Sequence, residues 1–234
     1  LVSMFNRIVL EGMNVVAISW FAKQTRQNES ITPAFLTASS YAMALGWAFC
    51  LGMVFLAHPT IHMMYGDQWG GAVDLTRVIA VSLAVSLPSA LCHPALMALG
   101  SVDRMLRITT YTTLLTVALV AIGSYFGLMV MGWCVVLAAA LRSWIWLVAA
   151  RKEVDFSWSA LLSLSLGSAA VAGASAIGPF CAFVVYGPYP TEIWQPLAMG
   201  VPTAMAGFLV AVIGLKHPLL DEIKPLWAKL RTRR

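Results

Sequence analysis

Residues 105–149 read MLRITTYTTLLTVALVAIGSYFGLMVMGWCVVLAAALRSWIWLVA, an almost unbroken apolar run. One helix of that length would measure about 67 Å at about 1.5 Å per residue, twice a bilayer hydrocarbon core of roughly 30 Å. The run therefore holds two membrane spans, and the chain is expected to fold back between Gly127 and Gly132. Working outward, comparable stretches lie at 2–21, 35–57, 74–98, 105–127, 128–149, 158–184 and 197–215, each near the roughly 20 residues a crossing helix needs. The composition agrees: 60% hydrophobic and 11% charged among 234 residues, with a mean hydropathy of +0.81. Such a chain is too apolar for a soluble domain. The expected fold class is all-α, a polytopic bundle of about seven transmembrane helices over 1–215, followed by a basic tail at 216–234.

Charge orients the bundle. Of the 15 Lys and Arg residues, twelve fall in every second gap between spans or in the tail: Lys23 and Arg26, Arg104 and Arg107, Arg151 and Lys152, then Lys216, Lys224, Lys229, Arg231, Arg233 and Arg234. The gaps at 58–73, around 127–132 and at 185–196 hold none. By the positive-inside rule the basic gaps are cytoplasmic, which places the N-terminus outside and the C-terminus inside. Aromatic residues mark the same boundaries, with Tyr65, Trp69, Tyr186, Tyr189 and Trp194 outside and Trp20, Trp158 and Trp227 inside. Residue 1 is Leu, at the edge of a span and without a signal-peptide n-region, so the chain reads as the C-terminal part of a longer protein. The tail is expected to lie as an amphipathic cap on the anionic inner leaflet.

Three basic residues break the loop pattern, and ionisable groups within spans are costly unless paired or wetted. Arg7 and Glu11 lie four apart on one face of the first span, placed for an ion pair or for a water-filled lumen. Asp74 and Arg77 are three apart at the outer start of the third span, where they can pair or snorkel. Arg142 has no acidic neighbour in its own helix and needs a distant partner, a wet cavity or an anionic ligand. A guanidinium stays charged in low dielectric and holds phosphate oxygens bidentately. Arg7, Arg142 and Arg77 are therefore the candidate substrate-binding residues, and Glu11 the candidate ion-coupling acid.

Other chemistry is sparse. Cys50, Cys92, Cys134 and Cys181 show neither metal spacing nor a disulfide framework. His58 and His62 are four apart, but Pro59 argues against a regular helix there, and no metal site is expected. His93, beside Pro94, reads as a kink neighbour. No phosphate-binding loop or catalytic constellation appears, so neither an enzyme nor a bound cofactor is expected. Small residues suggest close helix packing: Ala169 with Gly173 and Ala174 with Gly178 in the sixth span, and Gly200, Gly207 and Gly214 as one stripe in the seventh.

The outer gap reads Tyr65-Gly66-Asp67-Gln68-Trp69-Gly70-Gly71-Ala72, with Gly66 permitting a turn and Asp67 placed to cap the following helix. It opens a span ending in Ala98-Leu99-Gly100. Upstream lie Lys23 to Thr32, Gly52 and Leu56-Ala57; downstream come Arg104 and Arg107, Phe126 to Leu128, and Arg151-Lys152. Over about residues 10 to 152 this pattern resembles the polysaccharide-export flippase family, although the family's frequent Pro near the inner end of the first span is replaced by Val16-Ala17-Ile18-Ser19.

The resemblance implies the exporter superfamily that also contains multidrug efflux pumps and the peptidoglycan lipid flippase, with fourteen helices in two pseudo-symmetric halves and transport by alternating access. This chain would be the second half, in the bacterial inner (cytoplasmic) membrane. It would move an undecaprenyl-pyrophosphate-linked glycan, an O-antigen or exopolysaccharide unit, by a proton or sodium gradient. Its implied partners are that glycan, membrane lipids, the missing N-terminal half and glycan polymerase machinery, with no nucleic acid. A multidrug-type exporter of the same superfamily is the nearer alternative. A membrane glycan polymerase or ligase would carry a long outer loop with Arg and His, and a seven-span receptor would leave the outer segment and the intramembrane Arg residues unexplained.

Overall fold

The computed structural model describes residues 2, 11–27, 29–215 and 218. Arg7, its pairing with Glu11, most of the first span before residue 11, and the tail at 216–234 apart from Pro218 lie outside the described residues. The chain is all-α: α1 (Glu11–Arg26), α2 (Thr32–Tyr65), a 3₁₀ turn (Asp67–Ala72), α3 (Val73–Ser86), a second 3₁₀ turn (Leu87–Ser89), α4 (Cys92–Ala98), α5 (Val102–Ser124), α6 (Leu128–Val154), α7 (Trp158–Tyr186) and α8 (Trp194–Gly214). Among the described residues six helical segments are long and apolar enough to cross a membrane, one of them the interrupted α3–α4 unit. With α1, these are the elements of a polytopic bundle.

The loops sort to two ends. Thr32 Oγ1 donates to Val154 O, and Arg104 pairs with Glu153, which joins the starts of α2 and α5 to the end of α6. Thr25, Leu99 and Asp155 share a cavity with them, so the three internal basic gaps gather at one end. At the other end Arg77 reaches Pro188, and Gly132 near the start of α6 packs on Leu75 and Val78 of α3. Val2 lies there too, against Ile61, Tyr65 and Trp69.

The helices differ from the sequence expectations where proline sits. Span 74–98 is not one helix: Pro88 brings no N–H to Ala84 O, and the chain breaks into the 3₁₀ turn at Leu87–Ser89. The Ala84 carbonyl is taken instead by Trp47 Nε1 at 2.8 Å. Conversely, α2 continues past residue 57 through His58, Pro59 and His62 to Tyr65, where a regular helix was not expected. The proline is accommodated by a kink at Leu56 (φ −102°, ψ 16°). Close to that kink, Val54 O accepts a bond from Arg77 Nε at 3.2 Å, which ties α3 to α2 there.

Two smaller expectations are also corrected. The fold-back after α5 lies at Tyr125–Gly127, with Gly127 at φ 111°, and Gly132 is inside α6. Asp67 does not cap a helix. Gly66, at φ 82°, turns the chain, and the Asp67 carboxylate bonds His62 Nδ1 at 2.7 Å.

Two cores hold the bundle. One joins Phe21 of α1, Phe35 and Met43 of α2, Leu87 and Leu91 of the α3–α4 break, Leu96 of α4, and Trp146 and Leu147 of α6. The other joins Ala44, Val171, Ala211 and Val212, where α2, α7 and α8 meet. In that second core Ser168 Oγ donates to Ser40 O at 3.1 Å, and Ser175 Oγ to Ala204 O at 3.0 Å, satisfying hydroxyls that have no water to bond in an apolar interior. The glycine expectations hold in part. A Cβ on Gly178 would fall 1.8 Å from Thr203 Oγ1, and one on Gly207 would fall 2.6 Å from Ala174 O. Gly173 and Gly214 face open space, and Gly200 packs on Leu56 of α2 rather than on α7.

Candidate functional site

Because α6 runs on to Val154, Arg142 lies deeper than the sequence reading placed it. It precedes Arg151 by nine residues, about 13 Å along the axis, which puts it near the middle of a core of roughly 30 Å. The residue is exposed into a cleft of about 350 Å³ lined also by Asn14 of α1, Ser86, Ser89, Ala90 and His93 around the α3–α4 break, Thr109, Thr112 and Thr113 of α5, and Trp146 of α6. Among the described residues no carboxylate lies within 4.0 Å of Arg142, whereas Arg77 and Arg104 each have one.

The polar groups around it are arranged by their helices. Ser86 Oγ donates to Leu83 O at 2.8 Å, Ser89 Oγ to Ser86 O at 2.9 Å, and Thr112 Oγ1 to Ile108 O at 2.8 Å. Their protons are thus held by backbone, which leaves oxygen lone pairs as acceptors. Asn14 Oδ1 is a further acceptor, buried and without a hydrogen-bond partner among the described residues. The cleft therefore surrounds Arg142, its one permanent cation among the described residues, with neutral acceptor oxygens. His93 stands beside Trp146 with ring centroids 5.7 Å apart.

Arg77 sits in different surroundings, at the end opposite the basic loops. Its Nη1 donates to Asp74 Oδ1 at 2.8 Å, its Nη2 to Pro188 O at 2.9 Å, and its Nε to Val54 O. Its guanidinium also lies over the rings of Tyr189 and Phe183, 5.2 and 5.7 Å from their centroids. The Tyr189 hydroxyl donates to the Asp74 carboxylate at 2.7 Å, and that bond, followed by burial, holds the Tyr189 phenol above its ordinary value. His58 and His62 stack nearby at 4.1 Å, with His58 edge-on to Tyr189. This is a clamp linking α2, α3 and the α7–α8 loop.

The structure does not bring the described candidate residues into one site. Arg142 belongs to the mid-depth cleft and Arg77 to the clamp. Glu11 is exposed at the first residue of α1, three residues before Asn14. Sequence reading missed His93, Asn14 and the threonines. A signal was available: Ser86, Ser89 and His93 recur at spacings of three, four and seven, and Thr112 and Thr113 follow Thr109 by three and four, in apolar segments, which places each set on one side of a helical path. Among the described residues no group of three or more His, Cys, Asp or Glu is placed to hold a metal ion.

One curated relative bears on this architecture. The chain is 25% identical over 154 residues to the succinoglycan biosynthesis transport protein ExoT of Rhizobium meliloti (strain 1021), an alignment covering 64% of this chain and 31% of that protein. The chain thus spans about a third of the relative's length. No family model and no solved structure matches it. Among the described residues the long apolar helices make a bundle of the multi-pass membrane kind, and the relative it resembles is named as a transport protein.

Proposed function

We propose that this chain forms part of an exporter that moves a lipid-linked oligosaccharide across the bacterial inner membrane by alternating access, as the second half of a fourteen-helix protein. The observation that carries the reading is Arg142, a guanidinium near mid-membrane that is exposed into a polar cleft and has no carboxylate within 4.0 Å among the described residues. A fixed cation at that depth costs about 2.5–3.5 kcal/mol on insertion scales, and a passing pyrophosphate would repay it as an ion pair with bidentate hydrogen bonds. The relative's name, a transport protein of succinoglycan biosynthesis, supports a glycan as cargo.

In this reading the basic end faces the cytoplasm and the clamp faces outward. Arg142 holds the anionic linkage while the glycan is carried past it. Arg7 adds a second cation, Glu11 carries the coupling proton or sodium ion, and Arg77 stands at the outer exit, where it holds the clamp closed. Undecaprenyl-pyrophosphate glycan, the preceding half of the same protein and glycan polymerase machinery are the partners. No covalent step is needed, since the cargo is only desolvated, held and released.

The test is export of the cell's lipid-linked glycan by the full-length protein with Arg142→Ala, at membrane abundance matched to wild type. Loss of export with accumulation of the lipid-linked precursor is expected. Export at the wild-type level would overturn the role of Arg142 and with it the proposal.

A further inference from the structure

The α5–α6 pair carries a second groove, lined by side chains none of which lines the Arg142 cleft. Its wall is Ile108, Trp144, Ile145, Val148 and Ala149, it measures about 400 Å³, and its rim is Arg104 and Lys152 at the basic end. On α6 Trp144 and Val148 are rotated well away from Arg142 and Trp146, while Ala149, seven residues on from Arg142, lies at the boundary between the two sites, and no side chain lines both. Trp144 is a fixed wall, stacked on Trp158 at 5.5 Å with rings 10° from parallel. From Lys152 to Trp144 the groove runs about 12 Å along the helix, most of the depth of one leaflet of a core of roughly 30 Å.

The charges at the rim are unbalanced. Arg104 pairs through Nη1 with Glu153, while among the described residues Lys152 has no carboxylate within 4.0 Å. Two cations against one carboxylate leave a net positive rim over an apolar slot. A basic rim at the interface above an interhelical apolar wall matches a lipid whose phosphate is anionic and whose acyl chain lies along the wall. We infer that the α5–α6 groove binds an anionic glycerophospholipid of the surrounding membrane, with its headgroup phosphate on Lys152 and Arg104 and its acyl chain against Ile108, Trp144 and Val148. The transported lipid would enter the polar cleft; this groove holds a resident lipid, and it does not depend on what the cleft carries.

The experiment is native mass spectrometry of the detergent-purified full-length protein titrated with phosphatidylglycerol or phosphatidylcholine. Wild type is expected to prefer phosphatidylglycerol. Lys152→Gln should weaken its binding about fivefold, in line with one basic residue near a lipid surface, and leave phosphatidylcholine unchanged. Arg107→Gln, at the same end but outside the groove, should change neither. Ala149→Leu keeps the charge and fills the slot, so it should lower phosphatidylglycerol binding as well. Equal binding of the two lipids to wild type, equal effects of Lys152→Gln and Arg107→Gln, or displacement of phosphatidylglycerol by equimolar undecaprenyl phosphate would overturn the inference.

Discussion

The Tyr189 hydroxyl and the Asp74 carboxylate, 115 residues apart in the chain, meet at 2.7 Å and close the α7–α8 loop over the start of α3. Arg77 completes the contact by bonding Asp74, Pro188 and Val54 together. The Arg77 side chain is 17% exposed and that of Asp74 48% exposed, so the guanidinium is the better-sheltered member. Arg77→Ala strips bonds from two backbone carbonyls and should destabilise the protein by about 1–3 kcal/mol. Tyr189→Phe removes one solvent-facing bond and should cost at most about 1 kcal/mol. Thermal unfolding in detergent checks the order, and an equal or reversed order would refute the clamp.

The same bond has a pH signature. Because Asp74 raises the Tyr189 phenol above the ordinary tyrosine value of about 10, its contribution is present in full below that pH and is lost as pH rises through the raised value. The stability difference between wild type and Tyr189→Phe should therefore stay constant from neutral pH to about pH 9 and vanish at higher alkalinity. Melting temperatures of the two proteins across that range are the measurement.

Glycines in α7 and α8 should separate into two kinds. Gly207→Ala drives a methyl into backbone at Ala174, and Gly178→Ala into Thr203, so each should cost roughly 1–3 kcal/mol. Gly173→Ala and Gly214→Ala meet open space and should be neutral or stabilising by up to about 1 kcal/mol, since alanine favours the helix. Retained monodisperse protein after a heat step reads the difference.

Orientation is testable at internal loops. A fluorescent-protein fusion after residue 155 should glow, and an alkaline phosphatase fusion there should be inactive. After residue 190 the pattern should invert. The opposite result at both positions would reverse the assignment of the basic end to the cytoplasm.

Charge type at position 142 should matter as well as charge. Lys keeps a cation but loses the planar fork, so Arg142→Lys should retain part of export, while Arg142→Gln should behave like Arg142→Ala. Export assays at matched abundance distinguish these variants. Equal export by Lys and Gln variants would show that a cation there is not what the cargo needs.

Much of the fold was legible because a bilayer constrains a sequence locally. The run at 105–149 could only be two crossings, and α5 and α6 lie within a few residues of the expected spans. The three internal basic gaps do share one end, as every second gap between crossing helices does. Asp74 and Arg77 were recognisable as a pair from their spacing alone, and they bond at 2.8 Å. Prolines were legible as residues but not as outcomes. Pro59 stays inside a helix with a kink at Leu56, whereas Pro88 opens a 3₁₀ turn, and the spacing of apolar residues around each gives no sign of which will happen.

By itself, then, the sequence determined the helical class, the approximate crossings and the segregation of charge, all properties of segments matched to the thickness and polarity of a membrane. Only the tertiary structure decided that Trp47 would take the Ala84 carbonyl and Arg77 the Val54 carbonyl. It also separated the glycines that pack from those that do not. It placed Arg142 in a cleft with Asn14, His93 and three threonines. These depend on how each helix is rotated about its axis and which helix lies beside it, and contacts between residues 23 to 128 positions apart leave no periodic trace in the chain.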